Sequence, residues 1–396
     1  MTLSGRHVLL GVSGGIASYK ACTLARRLAE SGVMVDVVLT HSAAEFVRPV
    51  TFEALTGRPV LTSLWERNRA LAHVAQARDP DLVVLAPATA HLLARAALGL
   101  ADDLLTALLL AREGPVLAAP AMNDAMYAHP ATQANLATLR ARGWTLVGPA
   151  VGPLAEGPSD RPGRMTEPEE LLVEIERALL APGSALRGRR VLVTAGPTRE
   201  ALDPIRVITN RSSGRMGFAL ARAAYARGAD VTLIAGPTSL TPPVGVTVER
   251  AESTADLAAA VGRHLPGADV LVMAAAPADY RPAHPAPTKG SREQGAVSLV
   301  LEATPDVLAT TRSARKRGAI MVGFAYETQD GEAKARAKLE RKELDLIVLN
   351  LFEPGAGAEV PTNRVTLITR ERAVPGPLES KDQAAERILD AVERLL

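Results

Sequence analysis

The chain has 396 residues, with 45 Lys and Arg against 43 Asp and Glu and a net charge of +2. That length exceeds one ordinary domain, and the charge balance gives no ground for a nucleic-acid or membrane-surface partner. Its one cysteine, Cys22, excludes an internal disulfide, and no apolar run reaches the ~20 residues of a membrane helix. The chain opens on a strand with no signal-peptide layout, so a cytoplasmic protein of two domains is expected. With 47% apolar but only 3% aromatic residues, its cores must be built mainly from Ala, Leu and Val.

In chain order, "HVLLGV" (7–12) predicts a strand and "ASYKACTLARRLAESG" (17–32) a helix ending in glycine. Strands follow at 34–40 and 81–88, a helix at 104–114 and a strand at 115–121. Near-continuous apolar strands alternating with helices predict a parallel sheet covered on both faces, with ligands at the carboxyl ends of its strands. The second half repeats the scheme from "RVLVTAG", through helices at 216–229 and 254–265, to "IMVGFA" (320–325), a charged helix at 332–344, "DLIVLN" (345–350) and "NRVTLIT". The fold class is therefore α/β, with two doubly wound domains. The stretch "ALRGRR" (185–190) is the expected junction, which gives domains 1–184 and 185–396.

Two turns carry chemistry. Ser13-Gly14-Gly15 lies between a strand and a helix, where backbone N–H groups suit a phosphate; a plain tight turn explains it equally well. It has neither the dinucleotide nor the P-loop spacing. "RVITNRSSGRMG" (206–217) puts Arg206, Asn210, Arg211 and Arg215 on one glycine-bearing turn, which suits a phosphate or carboxylate. Lys338 and Lys342 share a helix face, and their spacing alone indicates no more than a solvated surface.

Taken together, the motifs resemble a bifunctional family of coenzyme A biosynthesis, phosphopantothenoylcysteine decarboxylase fused to phosphopantothenate–cysteine ligase. The resemblance covers essentially the whole chain. It rests on "GVSGGIASYKA", "DLVVLAPATA", "GLADDLLT" and "APAMNDAMYAHPATQ" in the first half. In the second it rests on "VTAGPTREALDPIRVITNRSSGRMG", "AAAPADYRP", "TPDVL", "VGFAYET" and "RKELDLIVLN".

For the first half the resemblance implies a flavodoxin-like domain that holds FMN through Ser13, Gly14, Thr40, Ala88 and Thr89. FMN oxidises the thiol-bearing carbon so that the adjacent carboxylate can leave. His73 matches the catalytic base and Asn123 the residue that holds the substrate carboxylate. The family flap carries a cysteine that returns a proton; here the flap reads "PLAEGPSDRPGRM" (153–165), with Glu156 in its place. Glu156 is either a substitute proton donor, which requires burial to raise its pKa, or a solvated residue. His91 stands where the family commonly has asparagine.

For the second half the resemblance implies a Rossmann-like ligase that uses CTP and Mg²⁺ to join 4′-phosphopantothenate to cysteine through an acyl-cytidylate. Met273, Ala274, Ala275, Asp279, Pro305, Asp306, Val307, Leu308, Phe324, Lys338 and Lys342 would meet the nucleotide, with Asp279 also the metal candidate. Asn210 would support the acyl intermediate, and Arg206 would meet the phosphopantothenate end. Lys289 matches the catalytic lysine loop, which reads "KGSR" where the family has Lys-Ile-Lys-Lys, and Asn350-Leu351 replaces an Asn-Asp pair. The resemblance also implies a homo-oligomer, a dodecamer of decarboxylase trimers and ligase dimers. Two alternatives keep the ligase: a first domain that stops at oxidative decarboxylation, or one that is a non-catalytic oligomerisation module.

Overall fold

The computed structural model describes residues 3–65, 77–289, 298–327, 330–351, 357 and 360–396. The chain divides into two compact units, one ending at Leu180 and the other beginning at Ala181.

The first unit is built on a six-stranded parallel sheet in the order Val60–Leu61, Met34–Leu39, His7–Val12, Leu82–Ala88, Val116–Pro120, Thr145–Leu146. Without the two-residue strand at 60–61, this is the order of flavodoxin-type sheets. The central strands are fully covered: all seven residues of Leu82–Ala88 are buried. The helix Ser18–Glu30 covers one face, burying Ala21, Leu24, Ala25 and Leu28 at helical spacing. Because His7–Val12 pairs with Met34–Leu39 on one side and Leu82–Ala88 on the other, the sense in which strands are added to the sheet reverses there. A crevice opens at that switch point, outside the strands' carboxyl ends.

The second unit has an eight-stranded sheet in the order Thr247–Arg250, Asp230–Ala235, Arg190–Ala195, Val270–Met273, Ile320–Glu327, Leu346–Leu351, Thr362–Ile368, Ala373–Ser380. The first six run parallel, and the last two are antiparallel additions. Its switch point lies between Arg190–Ala195 and Val270–Met273. The strand Val270–Met273 ends there, because the Ala276 N–H bonds back to the Gly196 carbonyl (2.9 Å) and bends the chain over the sheet end. The closing helix Lys381–Glu393 begins in a Ser380–Gln383 capping box. It is stapled by Arg227, which is fully buried and reaches Glu386 (2.6 Å), Asp390 (2.7 Å) and Glu393 (3.0 Å).

Candidate active sites

In the first unit a cavity of about 930 Å³ occupies the switch point, lined by the turns that end three strands. Ser13, Gly14, Thr40 and Thr89 line it, as expected; Ala88 is wholly buried beneath it and is not part of the lining. Ser13 is 2% exposed and its hydroxyl is already used, donating to the Pro87 carbonyl (2.7 Å) and accepting from the Thr89 N–H (3.0 Å). Its role is to bind the two turns together. The N–H groups of Gly14, Gly15 and Ile16 make no hydrogen bond among the described residues, and they precede the helix at Ser18. They form an anion seat at a helix N-terminus. At Gly14 a Cβ would collide with Ser42, coming 2.7 Å from its carbonyl carbon, so only glycine lets these turns meet. Ile16, Tyr19 and Met126 stand exposed around the cavity and offer apolar surface for a flat ring. The cavity therefore fits a phosphate-bearing aromatic ligand. His73 lies outside the described residues, and His91 is in the lining.

Lys20 escaped the sequence reading. It sits on the buried face of its helix, 5% exposed, and its Nζ donates to the Met165 carbonyl and to Glu167 (2.9 Å each). Burial opposes charge at Glu167, but Lys20 and Arg164 outweigh it and hold the carboxyl below its usual range. A lysine at a core position of an amphipathic helix was the available signal. It anchors the base of the flap.

That flap is a small hairpin. Ala150–Val151 pairs antiparallel with Pro162–Arg164, and the tip closes where Leu154 and Gly157 exchange backbone hydrogen bonds (2.9 and 3.1 Å). Ala155 and Glu156 form the tip. Asn123 caps the helix Asp124–Ala128: its Oδ1 accepts from the Ala125 N–H (2.8 Å) and Met126 N–H (3.4 Å). Its Nδ2 is thereby turned outward and donates to both oxygens of Glu156 (2.8 and 2.9 Å). Next to it, Asp124 holds the flap through Ser159 (2.8 Å) and Arg161 (3.4 Å). Glu156 is exposed, without the burial that the proton-donor reading requires.

In the second unit, Met273, Ala275, Asp279, Pro305, Asp306, Val307, Leu308, Phe324, Lys338 and Lys342 line one cavity of about 180 Å³. Ala274 packs against the core instead. Lys338 donates to the Phe324 carbonyl (2.7 Å), and burial, with neighbouring Lys342 adding to it, pushes its ammonium below the usual lysine range. Lys342 reaches Asp306 at 3.0 Å. The cavity has room for one ring and its sugar rather than a whole nucleoside triphosphate. Asn210 donates to the Pro277 carbonyl (2.8 Å), which ties the 206–217 turn to the stretch leading to Asp279. Arg206 is held by Asp203 (2.7 Å). The backbone N–H of Arg206 first, then that of Ile205 and the guanidinium, lower the Asp203 carboxyl to about 2. Lys289 is exposed, and the rest of its loop, 290–292, lies outside the described residues. Among the described residues no three His, Cys, Asp or Glu side chains gather as a metal site, so Asp279 stands alone as a ligand candidate.

The Flavoprotein family matches residues 1–180, and the family described as DNA/pantothenate metabolism flavoprotein C-terminal domain matches residues 186–396. The coenzyme A biosynthesis bifunctional protein CoaBC of Vibrio cholerae is 47% identical over 396 residues, covering 99% of this chain and 98% of the relative. The chain belongs to the family of bifunctional coenzyme A biosynthesis proteins. The Mycobacterium bovis CoaBC is 48% identical over 408 residues, covering 99% and 97%. A crystal structure of the C-terminal domain of a CoaBC is similar at 38% identity and a TM-score of 0.46, covering 54% of this chain and 98% of that one. As a CoaBC-family member the chain is a bifunctional enzyme, a flavoprotein decarboxylase followed by a ligase. The reading of its first unit as a non-catalytic module is not favoured. Among the described residues no helix is long and apolar enough to cross a membrane.

Proposed function

We propose that the second unit joins 4′-phosphopantothenate to cysteine at the expense of CTP with Mg²⁺, and that the first decarboxylates the product with FMN, in the cytoplasm, within a homo-oligomer. The observation that carries the first step is the convergence of three separate stretches, 273–279, 304–308 and 324–342, on one cavity that ends in two lysines. The cytosine and ribose of CTP occupy it, beside Phe324 and Asp279. Lys338, Lys342 and Lys289 offset phosphate charge as pyrophosphate leaves; Asp279 is the side chain that would hold Mg²⁺, which would supply further neutralisation of that charge. Asn210 then faces the activated carboxyl, and Arg206, braced by Asp203, faces the phosphopantothenate end.

In the first unit the free N–H groups of Gly14–Ile16 take the FMN phosphate, and the turns at Thr40 and Thr89 flank the ring. When bound, FMN supplies the two-electron oxidation and return that make the carboxylate a leaving group. Asn123 has only donors to offer outward, so it takes the substrate carboxylate by hydrogen bonding without a full countercharge. His73 serves as base for the thiol, and Glu156, exposed at the flap tip, returns the last proton only where bound flavin and substrate enclose it.

Anaerobic incubation of the FMN-loaded protein with 4′-phosphopantothenoylcysteine, followed by mass spectrometry, tests the second step. Loss of CO₂ alone is expected. Loss of CO₂ with two hydrogens would mean that the chemistry stops at the enethiol and that Glu156 returns no proton.

A further inference from the structure

The Asn123 amide already holds a carboxylate, and that carboxylate belongs to the protein. Oδ1 of Asn123 is fixed by two backbone N–H groups, so the amide cannot turn over without uncapping its helix. Nδ2 is left as a donor-only clasp, and both Glu156 oxygens sit on it. The flap geometry delivers Glu156 there: the tight Leu154–Gly157 tip presents it, while Ser159 and Arg161 on Asp124 dock the adjoining strand. No cation reaches Glu156 among the described residues, so a neutral amide alone holds it and release is not prohibitive.

We propose that Glu156 is a self-ligand for the carboxylate seat: the flap tip occupies Asn123 until the carboxylate of the substrate displaces it, and returns when that carboxylate has gone. This rests on the reading of Asn123 as the substrate's carboxylate site. The two carboxylates compete for one Nδ2, because both Glu156 oxygens already lie against it and a second carboxylate at the same nitrogen would be repelled by the first. Glu156 thus sets a selectivity. It works against ligands that bear the carboxylate and leaves the decarboxylated product, which makes no claim on the amide, unaffected.

The test uses FMN-loaded full-length protein and two ligands that lack the thiol and so cannot turn over: 4′-phosphopantothenoylalanine, which keeps the carboxylate, and its decarboxylated ethylamide. Titration calorimetry reads binding directly. Glu156→Ala is expected to bind the alanine ligand about tenfold tighter than the unaltered protein and the ethylamide within about twofold. Glu156→Gln, whose side chain keeps one acceptor for the amide, falls between. On an Asn123→Leu background, removal of Glu156 gains nothing for either ligand. Unchanged or weaker binding of the alanine ligand by Glu156→Ala overturns the proposal. Equal tightening of both ligands also overturns it, because that is the result of simply loosening the flap. If neither ligand binds any form of the FMN-loaded protein, the assignment of the cavity fails, and the self-ligand with it.

Discussion

Replacing Gly14 by alanine tests the cofactor cavity at its narrowest point. The added methyl would lie 2.7 Å from the Ser42 carbonyl carbon and 2.8 Å from its oxygen, against an ordinary contact of at least 3.4 Å. The Ser42 Cβ lies closer still, so the two backbones must part by more than about 0.7 Å, and neither is free to do so cheaply. Ser42 belongs to a turn fixed by the Ala43 N–H on the Thr40 carbonyl (3.0 Å) and hydroxyl (3.2 Å). Gly14 follows Ser13, whose hydroxyl is locked between Pro87 and Thr89. Overpacking of this kind costs about 1–3 kcal/mol, which is about 5- to 150-fold in an equilibrium constant. That strain emerges as lower stability of the first unit, as weaker FMN binding through displaced N–H groups, or as both. Gly15→Ala is the internal control: its one neighbour within 4 Å is the Thr89 Cγ2 at 3.4 Å, so its stability should lie within about 0.5 kcal/mol of the unaltered protein. Thermal unfolding and quenching of FMN fluorescence measure the two effects. A Gly14→Ala protein that melts normally and binds FMN within about twofold of the unaltered chain would refute the close-approach reasoning.

Arg227→Met strands three carboxylates around a buried void of charge and should cost about 3–5 kcal/mol. The second unit should then melt roughly 6–20 °C lower, and combined neutralisation of Glu386, Asp390 and Glu393 should recover most of the loss. Lys381, 5% exposed, is lowered to about 8 by burial and then by Arg215. Its folded form sheds the proton first, so stability should rise with pH from about 8 to about 10.4, by on the order of 2–3 kcal/mol. In Lys381→Met that rise should vanish in pH-resolved denaturant titrations; an undiminished slope would assign it elsewhere. Lys338→Met should raise the KM for CTP about tenfold or more while leaving decarboxylation of added 4′-phosphopantothenoylcysteine unchanged, as coupled pyrophosphate release and CO₂ assays would show.

Most of the scaffold was readable from hydrophobic pattern. Continuous apolar runs such as Leu82–Ala88 are what a doubly covered parallel strand requires, and the helix Ser18–Glu30 shows its buried stripe in its spacing. The missed elements are those in which pattern carries no weight. The strand Ala373–Ser380 contains Pro375, Gly376 and Pro377, which an edge tolerates because its outer hydrogen bonds go to solvent. The flap hairpin is held by tip hydrogen bonds and by Asp124 rather than by apolar alternation. Within the cavities, residue types indicated chemistry but not occupancy. Ser13 was placed by resemblance among the residues around FMN, and its hydroxyl is spent on joining two turns. Asn123 and Glu156 were each singled out, but nothing in a separation of 33 residues announced that one would hold the other.

The most direct test supplies the purified, FMN-loaded chain with 4′-phosphopantothenate, cysteine, CTP and Mg²⁺ under anaerobic conditions and follows all products together. The two-unit account predicts CMP and pyrophosphate, then CO₂ and 4′-phosphopantetheine, with Asn210→Ala stopping both stages and Asn123→Ala halting at 4′-phosphopantothenoylcysteine. Pyrophosphate release without any CO₂ from the unaltered protein would contradict it, leaving a ligase joined to a flavin domain that performs no decarboxylation.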